Sequence, residues 1–92
     1  MEDAVLKQWR AEIDTIDDQL LDLFNRRARC AIELGMAKRK LHLPIEVPQR
    51  EAQIVARMTG ANTGPLDGEA IARLFDAVID ESRVAEAAVV GG

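Results

Sequence analysis

Arg27 and Lys38 stand where an apolar helical stripe should continue, and both are cations. Burying an unpaired charge costs several kcal/mol, so each calls for a partner. They are eleven residues apart, which is about 20° past three full helical turns and a rise of roughly 16 Å. Two long cationic side chains on one face can converge on a single small ligand. Snorkelling or internal ion pairs would also accommodate them. Two further stripes add to the set. Glu51, preceded by Arg50, sits on one, and Ser82 and Glu86, four residues apart, sit on another. Arg27, Lys38 and Arg50 would supply positive charge, with Glu51, Ser82 and Glu86 as hydrogen-bonding groups. Such a polar pocket inside a helical bundle suits a small anionic molecule. Arg10 lies seventeen residues before Arg27, roughly 25 Å away and about 100° around the helix. It reaches the same small ligand only from a second, antiparallel chain.

The elements that must carry these residues are helices. Between Asp3 and Leu41 there is no proline, and Gly35 is the one glycine. Leu6, Trp9, Ile13, Ile16, Leu20 and Leu23, then Cys30, Leu34 and Leu41, recur in steps of three and four, which predicts one amphipathic helix over about 3–41. Asp22 and Arg26 support it as an i,i+4 pair, and His42, Leu43 and Pro44 end it. Pro48 suits the first turn of a second helix, about 48–59, stopped at Gly60, with Glu51, Ile54, Val55 and Met58 on one face. Asp67 reads as the N-cap of a third, about 67–89, carrying Ile71, Leu74, Phe75, Val78, Ile79 and Ser82 inward. The Ala/Val/Gly tail 85–92 is expected to fray at its end. The fold class is all-α, with three helices.

At 1.5 Å per residue the first helix is roughly 58 Å long, against a diameter of roughly 32 Å for a compact monomer of this size. Its stripe continues along the whole length, so the protruding half is expected to bury against another chain. A closed two-fold pair is the commonest solution. The expected architecture is an intertwined homodimeric helical bundle.

Composition agrees. The 92 residues read as a single domain, 1–92, with 48% apolar residues and only Trp9, Phe24 and Phe75 as aromatics, an aliphatic core suited to helix packing. A net charge of −4 argues against nucleic acid. The lone Cys30 forms no internal disulfide and is expected as a small core residue, and His42 as a loop histidine. No apolar run approaches the ~18 residues of a membrane span. The acidic start, Met1-Glu2-Asp3-Ala4, is unlike a signal peptide, so a cytoplasmic location is expected.

Arg10, Ile13, Asp17, Leu20, Leu21, Arg27, Gly35, Ala37, Lys38, Pro44, Arg50, Glu51, Leu74, Phe75 and Asp80-Glu81-Ser82 together resemble the helical (AroQ-class) chorismate mutases, most closely the short bacterial three-helix type. The resemblance covers residues 6–86. Its spacing, Arg-x16-Arg-x10-Lys-x11-Arg-Glu, is far more specific than any single motif. It implies a cofactor-free rearrangement of chorismate to prephenate, toward phenylalanine and tyrosine, in a homodimer. It further implies that Arg10 of the second chain and Arg27 grip two carboxylates. Lys38 would bind the ether oxygen, and Glu51 with the backbone N–H of Val47 would take the ring hydroxyl. Arg50, Ser82 and Glu86 would complete the site, with Glu86 facing the ether oxygen. Two positions depart from the family pattern. Many relatives have glutamine in place of Glu86, and some have an acidic residue in place of Val47.

Three other readings share these residues. An isochorismate pyruvate-lyase on the same scaffold would cleave the same kind of C–O bond. A non-catalytic helical module would leave the cations as a stability burden, and a plain coiled coil would keep positions 27 and 38 apolar. A weakly active mutase dependent on another shikimate-pathway enzyme is a further form of the first reading.

Overall fold

A computed structural model describes residues 3–91. The acidic start at Met1 and Glu2 and the tail's last residue, Gly92, lie outside the described residues. Three helices follow in order: α1 (Ala4–Lys40), α2 (Pro48–Ala61) and α3 (Gly68–Val90). No strand occurs among the described residues. α3 packs against both α1 and α2. No helix among the described residues is long and apolar enough to cross a membrane.

Each helix end has an identifiable cause. Asp3 caps α1, its carboxylate accepting from the Val5 N–H at 2.8 Å. Asp67 caps α3, accepting from the Ala70 N–H at 2.8 Å. Both satisfy backbone donors that a helix start leaves open. At the C-terminus of α1, Lys38, Arg39 and Lys40 occupy the last turn, where cations favour the helix dipole. The chain then closes a Schellman motif: the His42 N–H donates to the Arg39 carbonyl at 3.1 Å and the Leu43 N–H to the Lys38 carbonyl at 2.8 Å. That motif needs a left-handed residue, and His42 supplies it at φ 58°. Gly60 does not stop α2, which continues to Ala61. Asn62 ends it, its amide donating to the Leu66 carbonyl at 2.6 Å while its carbonyl oxygen accepts from the Gly64 N–H at 3.1 Å.

The tail is not frayed through its described part. Residues 85–90 continue α3, Val90 is 3% exposed, and Arg39 donates to the Val90 carbonyl. An apolar residue seated against α1 and a carbonyl held by a guanidinium outweigh the weak local signal of an Ala/Val run.

Burial follows the sequence stripes on α2 and only partly elsewhere. Glu51, Ile54, Val55 and Met58 are half-buried, as their spacing predicts. On α3, Ile79 and Ser82 are buried and Ile71, Phe75 and Val78 half-buried, but Leu74 is exposed. α1 shows the larger difference. Residues 4–26 are exposed throughout, and the residues of α1 that are buried or half-buried are Arg27, Ala28, Ala31, Ile32, Gly35 and Lys38. Cys30, Leu34 and Leu41, on the stripe expected to meet a second chain, are exposed in the single chain. The covered face of α1 thus takes in the two cations of the stripe and the small residues between them. Trp9 at 60% and Ile13 at 54% exposure leave a long apolar surface in water, well beyond the scattered apolar residues of an ordinary monomer. The molecule measures 59 × 27 × 14 Å with a radius of gyration of 17.0 Å, against about 12 Å for a compact chain of this length.

The left-handed residue carries a measurable cost. A non-glycine residue there loses about 1–2 kcal/mol relative to its preferred backbone, so His42→Gly is expected to raise unfolding stability by about 1 kcal/mol. Urea denaturation at fixed protein concentration checks it, and an unchanged or lower midpoint refutes the assignment.

Candidate active site

α3 lies between the last third of α1 and the first turns of α2, and a cavity of about 110 Å³ opens where the three converge. Arg27, Lys38, Val47, Arg50, Glu51, Ser82 and Glu86 all line it. Seven of the eight residues singled out from the sequence therefore meet in one place. Arg10 does not line it, being roughly 25 Å back along α1 from Arg27. A larger groove of about 430 Å³, flanked by Phe24, Ala28, Leu74 and Val78, contains no cation and lacks the chemistry to hold an anion.

Helix geometry places each group. Arg27 and Lys38 mark the two ends of the α1 face that meets α3. The Arg27 guanidinium donates to the Ser82 hydroxyl at 2.8 Å, and the Lys38 ammonium donates to the Ile45 carbonyl at 3.2 Å. Both partners are neutral oxygens, and neither cation pairs with a carboxylate among the described residues. Their positive charge is left for a guest. Val47 is the N-cap of α2, followed by Pro48 at the first helical position. This puts the Val47 backbone, Arg50 and the Glu51 carboxylate together at one helix start. Ser82 and Glu86, one turn apart on α3, are 6% and 8% exposed.

Arg83 and Glu46 line the same cavity and were not anticipated. Arg83 donates to the Glu51 carboxylate at 2.5 Å and lies 4.0 Å from Glu46 and 3.5 Å from Asp80. The guanidinium is held above its ordinary pKa, chiefly by the Glu51 hydrogen bond, against some cost of burial. The charges of Glu51, Glu46 and Asp80 add to the effect. Its Nε is buried without a hydrogen-bond partner. One signal in the sequence pointed here: Arg83 directly follows the inward Ser82 and stands three residues before Glu86. The arrangement divides the charges. Arg83 gathers the acidic groups, while Arg27 and Lys38 stay uncompensated. The result is a cavity with two cations free of carboxylate partners among the described residues, one carboxylate, Glu51, fixed as an acceptor, and a buried carboxyl group, Glu86, on its wall.

Known proteins share both sequence and architecture. Residues 9–87 match the family model described as chorismate mutase type II. The bifunctional chorismate mutase/prephenate dehydratase of Stutzerimonas stutzeri is 41% identical over 75 residues, 76% of this chain and 20% of the relative. That of Aquifex aeolicus is 38% identical over 78 residues, 80% of this chain and 22% of the relative. The chain thus spans about a fifth of the length of these curated relatives. Among solved structures, the chorismate mutase of Helicobacter pylori in complex with prephenate aligns with a TM-score of 0.87 at 30% identity, over 97% of each chain. Form II of the Thermus thermophilus chorismate mutase aligns at 0.85 with 32% identity, over 88% of this chain and 92% of that one. With the family match running from the exposed half of α1 to the cavity-lining turn of α3, and whole-chain likeness in three dimensions beside it, this chain belongs to the type II chorismate mutase family.

Proposed function

We propose that the chain is a chorismate mutase that rearranges chorismate to prephenate on the way to phenylalanine and tyrosine, in the cytoplasm, as a single domain and without a cofactor. The observation that carries this reading is the pair Arg27 and Lys38 in one cavity, each bonded only to a neutral oxygen. A dicarboxylate guest supplies the negative charge they lack.

The rearrangement is one concerted step: a C–O bond breaks as a C–C bond forms, and no proton is transferred. Two kinds of help suffice. Cations that grip both carboxylates hold the enolpyruvyl arm over the ring in a near-attack geometry. Donors at the ether oxygen stabilise the charge that builds there as the bond breaks. Arg27, and Arg10 from a second chain, take the first task, with Arg50 and Ser82 completing the enclosure. Lys38 and Glu86 take the second. Glu51, held by Arg83, and the Val47 N–H receive the ring hydroxyl.

The proposal includes an intertwined homodimer. Two features support it: the exposed apolar length of α1, and a cavity of about 110 Å³, well below the roughly 300 Å³ at which small-molecule sites begin. A second α1 laid antiparallel would cover the first and bring Arg10 to the open side. The fusion of relatives to a prephenate dehydratase also makes another shikimate-pathway enzyme a suitable partner.

Incubating the protein with chorismate is expected to yield prephenate, and Arg27→Ala to lower kcat/KM by at least about a hundredfold, the scale for a buried charge contact worth roughly 3 kcal/mol. Salicylate and pyruvate from isochorismate, with chorismate unchanged, would instead identify a lyase.

Mixing Arg10→Ala with Arg27→Ala chains, each inactive alone, tests the shared site. Random pairing leaves half the dimers mixed with one intact site each, so activity returns to about a quarter of wild type. No recovery after refolding together means that Arg10 does not serve across chains.

A further inference from the structure

Gly35 is the one buried residue of α1, and its place in the middle of a helix needs a reason. Glycine is among the weakest helix formers. Backbone freedom is not the reason, because the positive-φ glycines among the described residues are Gly64 and Gly91. Space is the reason. A Cβ at position 35 would stand 2.7 Å from Glu86 Cγ, 2.8 Å from Cδ and 2.9 Å from Oε2. Carbon atoms in contact sit about 3.5–4.0 Å apart. The Glu86 side chain therefore fills the volume that any side chain at position 35 would need. Gly60 and Gly68, by contrast, have open space around them.

The site explains why that volume matters. Gly35 lies one turn before Lys38 on the α1 face that meets α3, and Glu86 lines the cavity together with Lys38 and Arg27. We propose that Gly35 is a positioning residue, which seats the Glu86 carboxyl group directly on the α1 backbone and so fixes where it meets the reacting ether oxygen. Close approach of a side chain to a helix backbone is a use to which only glycine is suited. A methyl group at position 35 pushes the carboxyl group out without breaking the fold. An adjoining cavity of about 210 Å³, bordered by Ile45, Ala87 and Val90 as well as Glu86, can receive it. A flexible side chain moves there more easily than two helices move apart.

The catalytic half of this inference rests on the mutase reading; the geometric half does not. Gly35→Ala in the full chain is expected to melt at or above the wild-type temperature, since alanine favours the helix. Its kcat with chorismate is expected to fall about 10- to 100-fold, the scale for misplacing one transition-state donor. KM should change less than about threefold, because the loss is confined to the transition state. In a Glu86→Ala background the added methyl group no longer meets the Glu86 carboxyl arm, and Gly35→Ala then costs less than about twofold in kcat. A crystal structure of Gly35→Ala is expected to show the Glu86 carboxyl group displaced toward Ile45 and Val90. Wild-type kcat in Gly35→Ala, an equal loss in the Glu86→Ala background, or an unmoved Glu86 carboxyl group would each overturn the proposal. If Gly35→Ala fails to fold, Glu86→Ala must restore folding, and failure to do so also overturns it. Should wild type leave chorismate untouched, the mutase reading falls, while the crystal structure still decides the seating of Glu86.

Discussion

A helix of 37 residues, roughly 56 Å long, cannot be covered by partners of 14 and 23 residues. Burial on α1 begins only at Arg27. The first 23 residues of the helix, 4–26, therefore carry an apolar stripe that this chain leaves in water. Buried hydrophobic residues in the single chain number two, Ile79 and Val90, among those described. Burial of apolar surface is the main force that stabilises a fold, and two buried hydrophobic residues are a small core for a 92-residue chain. Everything else follows from that imbalance: the extended shape, the small cavity, and the arginine stationed far from it.

The charges obey a second constraint. Four cations and three carboxyl groups line one cavity: Arg27, Lys38, Arg50 and Arg83 against Glu46, Glu51 and Glu86. Were they paired at random, the site would be neutral and would have little hold on an anion. Arg83 prevents this by gathering Glu51, Glu46 and Asp80. Arg27 and Lys38 meanwhile rest on a hydroxyl and a backbone carbonyl. These contacts satisfy donors without cancelling charge. An uncompensated pair of cations destabilises an empty protein, and a ligand that binds only the folded state reverses that loss. The site is thus maintained at some expense in stability, as preorganised binding sites generally are.

Much of this was legible from residue type and period alone. The three helices, the Asp67 cap and the half-buried face of α2 followed from steps of three and four. Arg27, Lys38, Glu51, Ser82 and Glu86 met in the cavity because each put a polar group on an apolar stripe; Arg50 came with them as the neighbour of Glu51, and Val47 came from the family resemblance alone. Periodicity reports that a face is apolar, but not what covers it. Cys30, Leu34 and Leu41 lie on the α1 stripe, but α3 leaves them exposed within the single chain, and Leu74 is exposed as well. Arg83 escaped notice because its meaning lies in Glu46 and Glu51, more than thirty residues away. His42 looked like an ordinary loop residue because histidine is an uncommon choice for a left-handed helix stop. Val90 looked like part of a fraying tail because its buried contact with α1 spans half the chain.

Gly35 shows most directly how the two constraints meet. Between Arg27 and Lys38 the face of α1 that meets α3 holds Ala28, Ala31, Ile32 and Gly35, mostly small side chains that let α3 come close. Large apolar residues there would have built a better core and pushed the helices apart. They would also have carried Ser82 and Glu86 away from the cations. Small residues reduce the apolar area buried within one chain, and the stabilisation they give up must come from elsewhere. The exposed stripe on 4–26 is where it is available. In the proposed dimer, a thin interface inside each chain and a thick one between two chains are parts of one arrangement. The first brings polar groups from separate helices within reach of one small molecule, and the second supplies the burial that makes the first tolerable.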